Sequence, residues 1–245
     1  MPSFRSCCVL LSFALGANHA AATVTLTTGP GYPPFTDRAA PEGGIMVQVV
    51  RAVFERMGEP VSLAWLPWKR GYALTLAGKY SATFPYVRSP EREQDFLFSD
   101  PLLSAQSFLY MHRGDTLDFD HPDSFRGRVL CVPQGYASPL ETGLRAMIEK
   151  GEVTLEQPTD ILTCFRMLLA QRVDALSAFD LLAREMLRQV DAGEQIQRSV
   201  KPVASADLML IAPKNNPASA DLIQRFNLGL KQVKGDDNYR RLLPE

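Results

Sequence analysis

The 245-residue sequence has no surplus of charge of either sign, with 26 lysines and arginines against 27 aspartates and glutamates. Phosphate recognition needs a basic excess on one face, so this balance argues against a nucleic-acid partner. Long apolar runs are missing too. CCVLLSFALGA near the N-terminus is about eleven residues, whereas a bilayer span needs roughly 20, and no later segment comes close. A membrane-spanning chain is therefore not expected. Histidine is scarce: beyond the N-terminal segment only His112 and His121 occur, with no nearby Cys, Asp and Glu at metal-ligand spacing. Neither a Gly-x-Ser-x-Gly elbow nor a phosphate loop appears. No catalytic residue, metal or cofactor is expected, and no repeat or low-complexity linker divides the chain.

What is present begins with a compartment signal. Arg5, the short apolar run and the small residues AAAT have the three-part order of a secretory signal peptide, with cleavage expected after Ala22 and residues 1–22 removed. Of 4 cysteines, Cys7 and Cys8 fall inside that segment, leaving Cys131 and Cys164. In an oxidising compartment these two are expected to form one bridge, the alternative being two separate buried thiols.

The remaining chain suits two lobes of roughly 100 residues each. TVTLTT predicts a strand, stopped by the turn-rich GPGYPPF. In GIMVQVVRAVFERMG, Ile45, Val49, Ala52, Val53 and Met57 share one helical face, and Gly58 ends the helix. A strand VSLAWL, a helix from Trp68 to about Ala77 and a strand at SATFPYV complete a βαβαβ unit. After AQSFLYMHRGD the grammar repeats in strand RVLCV, helix SPLETGLRAMIEK, strand VTLE, helix DILTCFRMLLAQ, strand VDALSAF and helix LLAREMLRQV. Strand ADLMLIAP and helix ADLIQRFNLGLKQVK close the chain. The expected fold is α/β, two lobes joined by two hinge strands near 106–112 and 206–212, with a cleft between them.

Several motifs in this order resemble the family 3 extracellular solute-binding proteins, periplasmic receptors that deliver amino acids and similar solutes to ABC importers. The likeness rests on YPPF (32–35), PWKRGYALTLAGKYSA (67–82), SPEREQDFLFSDPL (89–102), FRGRVLCVPQG (125–135), RVDALSAFD (172–180) and the closing DDNYRRLL. It implies the type II periplasmic binding protein fold. Lobe one would comprise 23–108 with 209–245, and lobe two 109–208. The implied partners are a small polar solute and an inner-membrane ABC permease, with the receptor a periplasmic monomer.

The resemblance also assigns residues. Tyr32 of the YPPF turn and Trp68 become aromatic walls, although aromatics beside turns are as commonly core packing. Arg92 becomes the fork that holds a solute carboxylate. On sequence alone it would be a surface arginine paired with Glu91, Glu93 or Asp95. Its replacement is expected to cost binding and leave the melting temperature of the ligand-free protein almost unmoved. Ser138, Pro139 and Glu141 fit a capping box, and Gly135, Tyr136, Ala137 and Ser138 would offer backbone groups to the same carboxylate from lobe two. Asp180 is the candidate partner for a solute ammonium, although an ungapped alignment places Phe179 there and Asp180 equally suits a helix N-cap. Pro85 and Val87 replace the small hydroxyl residues common ahead of the arginine. Both departures count against a standard α-amino acid.

Two rivals share the fold. A periplasmic, dehydratase-like enzyme on a small carboxylic acid would need a cleft base such as Glu42 or Asp180. A sensory module for a membrane partner would differ only on its outer faces.

Overall fold

The computed structural model describes residues 23–136 and 144–242. The signal-peptide reading and the Ser138 cap therefore lie outside the described residues.

The chain opens as expected, with β1 (Val24–Thr28) followed by α1 (Ile45–Met57), β2 (Val61–Trp65), α2 (Trp68–Leu76) and β3 (Ala82–Tyr86). β1 pairs in parallel with both β2 and β3. Ile45, Val49 and Val53 of α1 are buried, and Ala52 and Met57 pack at the edge of the same core. Gly58 ends the helix at φ 67, the left-handed cap that glycine adopts without a Cβ penalty. The charged stretch after β3 forms a short helix, α3 (Pro90–Asp95), and a short strand, β4 (Phe96–Phe98).

The second sheet uses β5 (Leu103–His112), β6 (Val129–Cys131), β7 (Thr154–Glu156), β8 (Ala175–Phe179) and β9 (Ile196–Arg198). Its helices are α4 (Leu144–Glu149), α5 (Ile161–Leu169) and α6 (Asp180–Gln189). β6 is parallel to β7 and β8, while β5 runs antiparallel to β8 and β9. β10 (Ala204–Pro213) then returns to the first sheet, antiparallel to β3 and β4, and α7 (Ser219–Gly235) packs on α1 through Phe226 against Phe54. The final helix α8 (Asp237–Leu242) is tied down by the Tyr239 hydroxyl, which donates to the Leu102 carbonyl at 2.6 Å.

Passage between the sheets is made by β5 and β10. Residues 103–107 pair with 204–208, and apart from Ser107 this ribbon is flanked by no other strand among the described residues. It lies a few residues earlier than the sequence reading, because the apolar runs Phe108–Met111 and Met209–Ala212 are buried within the sheets instead. Each long strand is thus buried in one half and partly exposed in the other.

Cys131 at the end of β6 and Cys164 on α5 form a disulfide with Cα atoms 5.6 Å apart. Both cysteines are buried in the core beneath the second sheet.

Candidate functional site

The first wall is built on the turn after β1. Tyr32 and Thr36 exchange backbone hydrogen bonds at 2.9 Å, and the Thr36 hydroxyl donates to the Gly29 carbonyl. The carbonyls of Pro34 and Phe35 accept from the amides of Ile45 and Met46, so the start of α1 holds the turn in place. This requires glycine at Gly44, whose φ is 97 and where a Cβ would come within 2.7 Å of the Phe35 carbonyl oxygen. Tyr32 is left with its ring against Trp68 at 5.7 Å and Tyr136 at 5.6 Å, both edge-on. Trp68, the first residue of α2, lies flat over Gly29; a Cβ there would meet the indole at 2.2 Å. Trp68 also meets Tyr86, at the end of β3, edge-on at 5.8 Å.

Arg92 sits on α3, where Ser89 caps the helix. Its guanidinium covers the Tyr86 ring at 5.0 Å and donates to the Val87 carbonyl at 2.6 Å and the Gly135 carbonyl at 2.8 Å. Gly135 belongs to the loop after β6, so this side chain reaches from one sheet's loops to the other's. Among the described residues no carboxylate pairs with Arg92; Glu93 pairs with Arg88 instead, at 2.7 Å.

These groups bound a cavity of about 190 Å³ between the sheets. Its far wall is Ser177, Ala178 and Phe179 from β8, with Leu182 and Ile161. The ribbon supplies Ser107, Ala204, Ala206 and Leu208 as its floor. Burial raises the Tyr32 hydroxyl pKa despite the nearby Arg92 charge, pushes Tyr86 up to about 12, and holds Tyr136 well above the ordinary phenol range. All three stay protonated and able to donate. Desolvation lowers the Arg92 pKa, which still leaves a guanidinium charged at any working pH.

Of the residues singled out in the sequence, Tyr32, Trp68, Arg92, Gly135 and Tyr136 meet at this cavity. Ala137 and Ser138 lie outside the described residues. Asp180 is not brought in. As the first residue of α6 it accepts from Arg198 at 2.6 Å, from Arg184 at 2.8 Å and from the Tyr110 hydroxyl at 3.1 Å, while its neighbour Phe179 lines the cavity. Sequence reasoning missed Tyr86 and Ser177. Tyr86 carried a usable signal, since it ends a parallel strand, and ligands of α/β sheets gather outside the carboxyl ends of such strands.

The model of the bacterial extracellular solute-binding proteins, family 3, matches residues 24–244. The chain belongs to this family. No curated protein matches it by sequence. Among solved structures, this family 3 chain is similar to an ancestral arginine-binding protein bound to arginine, at 19% identity and TM-score 0.76, covering 91% of this chain and 97% of that one. A histidine kinase sensor domain similar to periplasmic binding proteins aligns at 17% identity and TM-score 0.77, covering 91% and 95%. The substrate-binding protein of an amino acid ABC transporter aligns at 17% and 0.72, covering 90% and 96%. The fold is the two-lobed type II periplasmic binding protein fold.

Proposed function

We propose that the protein is a periplasmic receptor that closes around a small carboxylate-bearing solute and hands it to an ABC importer in the inner membrane. The observation that carries this reading is Arg92. It is a half-buried guanidinium without a carboxylate partner among the described residues, set at the mouth of an aromatic cavity between two sheets. Two of its N–H groups are bound to carbonyls, and the rest of its five donors remain for an anion. Similarity to an arginine-binding protein and to an amino acid transporter's binding protein supports a solute of amino-acid size.

Lobe one would be 23–108 with 209–245 and lobe two 109–208, the ribbon serving as hinge. The receptor would act as a monomer. Binding is favoured over catalysis because the ionisable groups described on the lining are Arg88, Arg92 and tyrosines held protonated by burial, and none of them is a base near neutral pH.

A thermal-shift screen over amino acids, polyamines and organic acids tests the reading. A solute that binds only the folded state raises the melting temperature with its concentration. Stabilisation by carboxylates that is lost in Arg92→Ala supports the proposal; a screen in which only polyamines stabilise would reject it.

A further inference from the structure

We infer that the solute is a hydrocarbon monocarboxylate, with an aromatic or branched body and no ammonium group, rather than an α-amino acid. This rests on the receptor reading above and concerns the same cavity. The charged groups described on its lining are Arg88, which is paired with Glu93, and Arg92, which has no carboxylate partner among the described residues, so the unpaired charge favours an anion and opposes an ammonium. An α-ammonium sits two bonds from the carboxyl carbon and would be carried in with it, away from water. Stripped of hydration, it needs an anionic or strong neutral acceptor.

The wall that would receive it is Ser177, Ala178, Phe179, Leu182 and Ile161, hydrocarbon apart from one neutral hydroxyl. Of the nearby carboxylates, Asp180 is held by Arg184, Arg198 and Tyr110, Asp160 caps α5 at Thr163, and neither these nor Glu91 is on the lining. The carbonyls of Val87 and Gly135 each keep a second lone pair, but an ammonium bound there would lie beside the Arg92 guanidinium they hold and be repelled by it. An aromatic cage for a cation is also disfavoured. The guanidinium of Arg92 already covers the Tyr86 face and would repel a second cation held among the neighbouring rings.

Size agrees with this class. An apolar cavity of about 150 Å³ holds benzene, so about 190 Å³ accommodates a ring or branched chain with its carboxylate.

Calorimetry and thermal shift with matched pairs test the inference: 3-phenylpropanoate against L-phenylalanine, 4-methylpentanoate against L-leucine, and 2-phenylethylamine as the amine alone. At least one carboxylate should bind at least tenfold more tightly than its amino acid, and the amine should not bind. Ser177→Asp, which puts a carboxylate on the cavity wall, should move that preference at least tenfold toward the amino acid. Amino acids binding as well as or better than their deaminated partners would overturn the inference while leaving the receptor standing. An unchanged preference in Ser177→Asp would also overturn it. If no pair binds, the hydrocarbon class is wrong, and the wider screen then decides the receptor reading separately.

Discussion

Arg92 serves the architecture as well as the recognition proposed for it. The sequence reading expected its loss to leave the ligand-free protein's stability nearly untouched. The structure gives it two backbone carbonyls and an aromatic face to hold, so its removal leaves those acceptors unpaired besides taking away the proposed binding group. Arg92→Ala is expected to cost roughly 2 to 5 kcal/mol of solute binding. It should also lower the melting temperature of the ligand-free protein by about 2 to 4 °C, the shift for about 1 kcal/mol in a chain of this size. Arg92→Lys keeps the charge without the fork and should recover part of the affinity. Calorimetry and thermal denaturation read the two effects separately. Gly29 is the second sensitive residue, because the indole of Trp68 occupies the place of its missing side chain. Gly29→Ala should displace that ring, shift the tryptophan fluorescence and cost about 1 to 3 kcal/mol of stability by overpacking. Unchanged fluorescence and stability would mean that the ring is not held there.

At the level of elements, the start of α6 is anchored by Asp180 to β5 through Tyr110 and to β9 through Arg198. Burial alone would raise the Asp180 pKa, but the Tyr110 hydroxyl and the Arg198 and Arg184 guanidiniums outweigh it and bring it below the usual aspartate range. A folded pKa below the unfolded one means stability that is present at neutral pH and lost as pH falls below about 4. Asp180→Asn should therefore be less stable than the parent by about 1 kcal/mol at pH 7, discounted for partial solvent exposure. Denaturant titrations should show that difference shrinking toward acid pH. The disulfide is the other anchor, joining the strand that leads into the Gly135–Tyr136 loop to the helix that starts at Ile161. It closes a loop with a sequence separation of 33. Loop entropy assigns such a link about 3 to 4 kcal/mol. Reduction should lower unfolding stability by about that amount, and a reduced protein with the parent's denaturation midpoint would contradict it.

For the whole molecule the deciding feature is the ribbon formed by 103–107 and 204–208. Sheets with several strands on each side resist bending, whereas a ribbon with free edges leaves the lobes able to rotate about it. Contacts across the cleft include Arg92 to Gly135, Tyr32 to Tyr136 and Phe35 to Phe179, and they form only when the lobes are together. Small-angle scattering of the ligand-free protein should report a larger radius of gyration than at saturating solute. An unchanged radius would count against rotation at the ribbon.

The order of strands and helices was legible in the sequence because apolar periodicity and turn residues act locally. Val49 and Val53 of α1 and Gly58 at its end stand where the pattern put them. The segment 90–98 was not read as helix and strand, because α3 and β4 are too short for a period to declare itself. Motif resemblance singled out Arg92, Tyr32 and Trp68, which line one cavity, since turns and helix starts fix such residues within a few positions. Which of Phe179 and Asp180 faces the cavity was decided only by tertiary structure. At the end of a strand, successive side chains point to opposite faces, and one step of register exchanges a carboxylate for a phenyl ring. Here that step was set by the pairing of β8 with β5, opposing Phe179 to Ser107, a partner 72 residues away that no local pattern specifies.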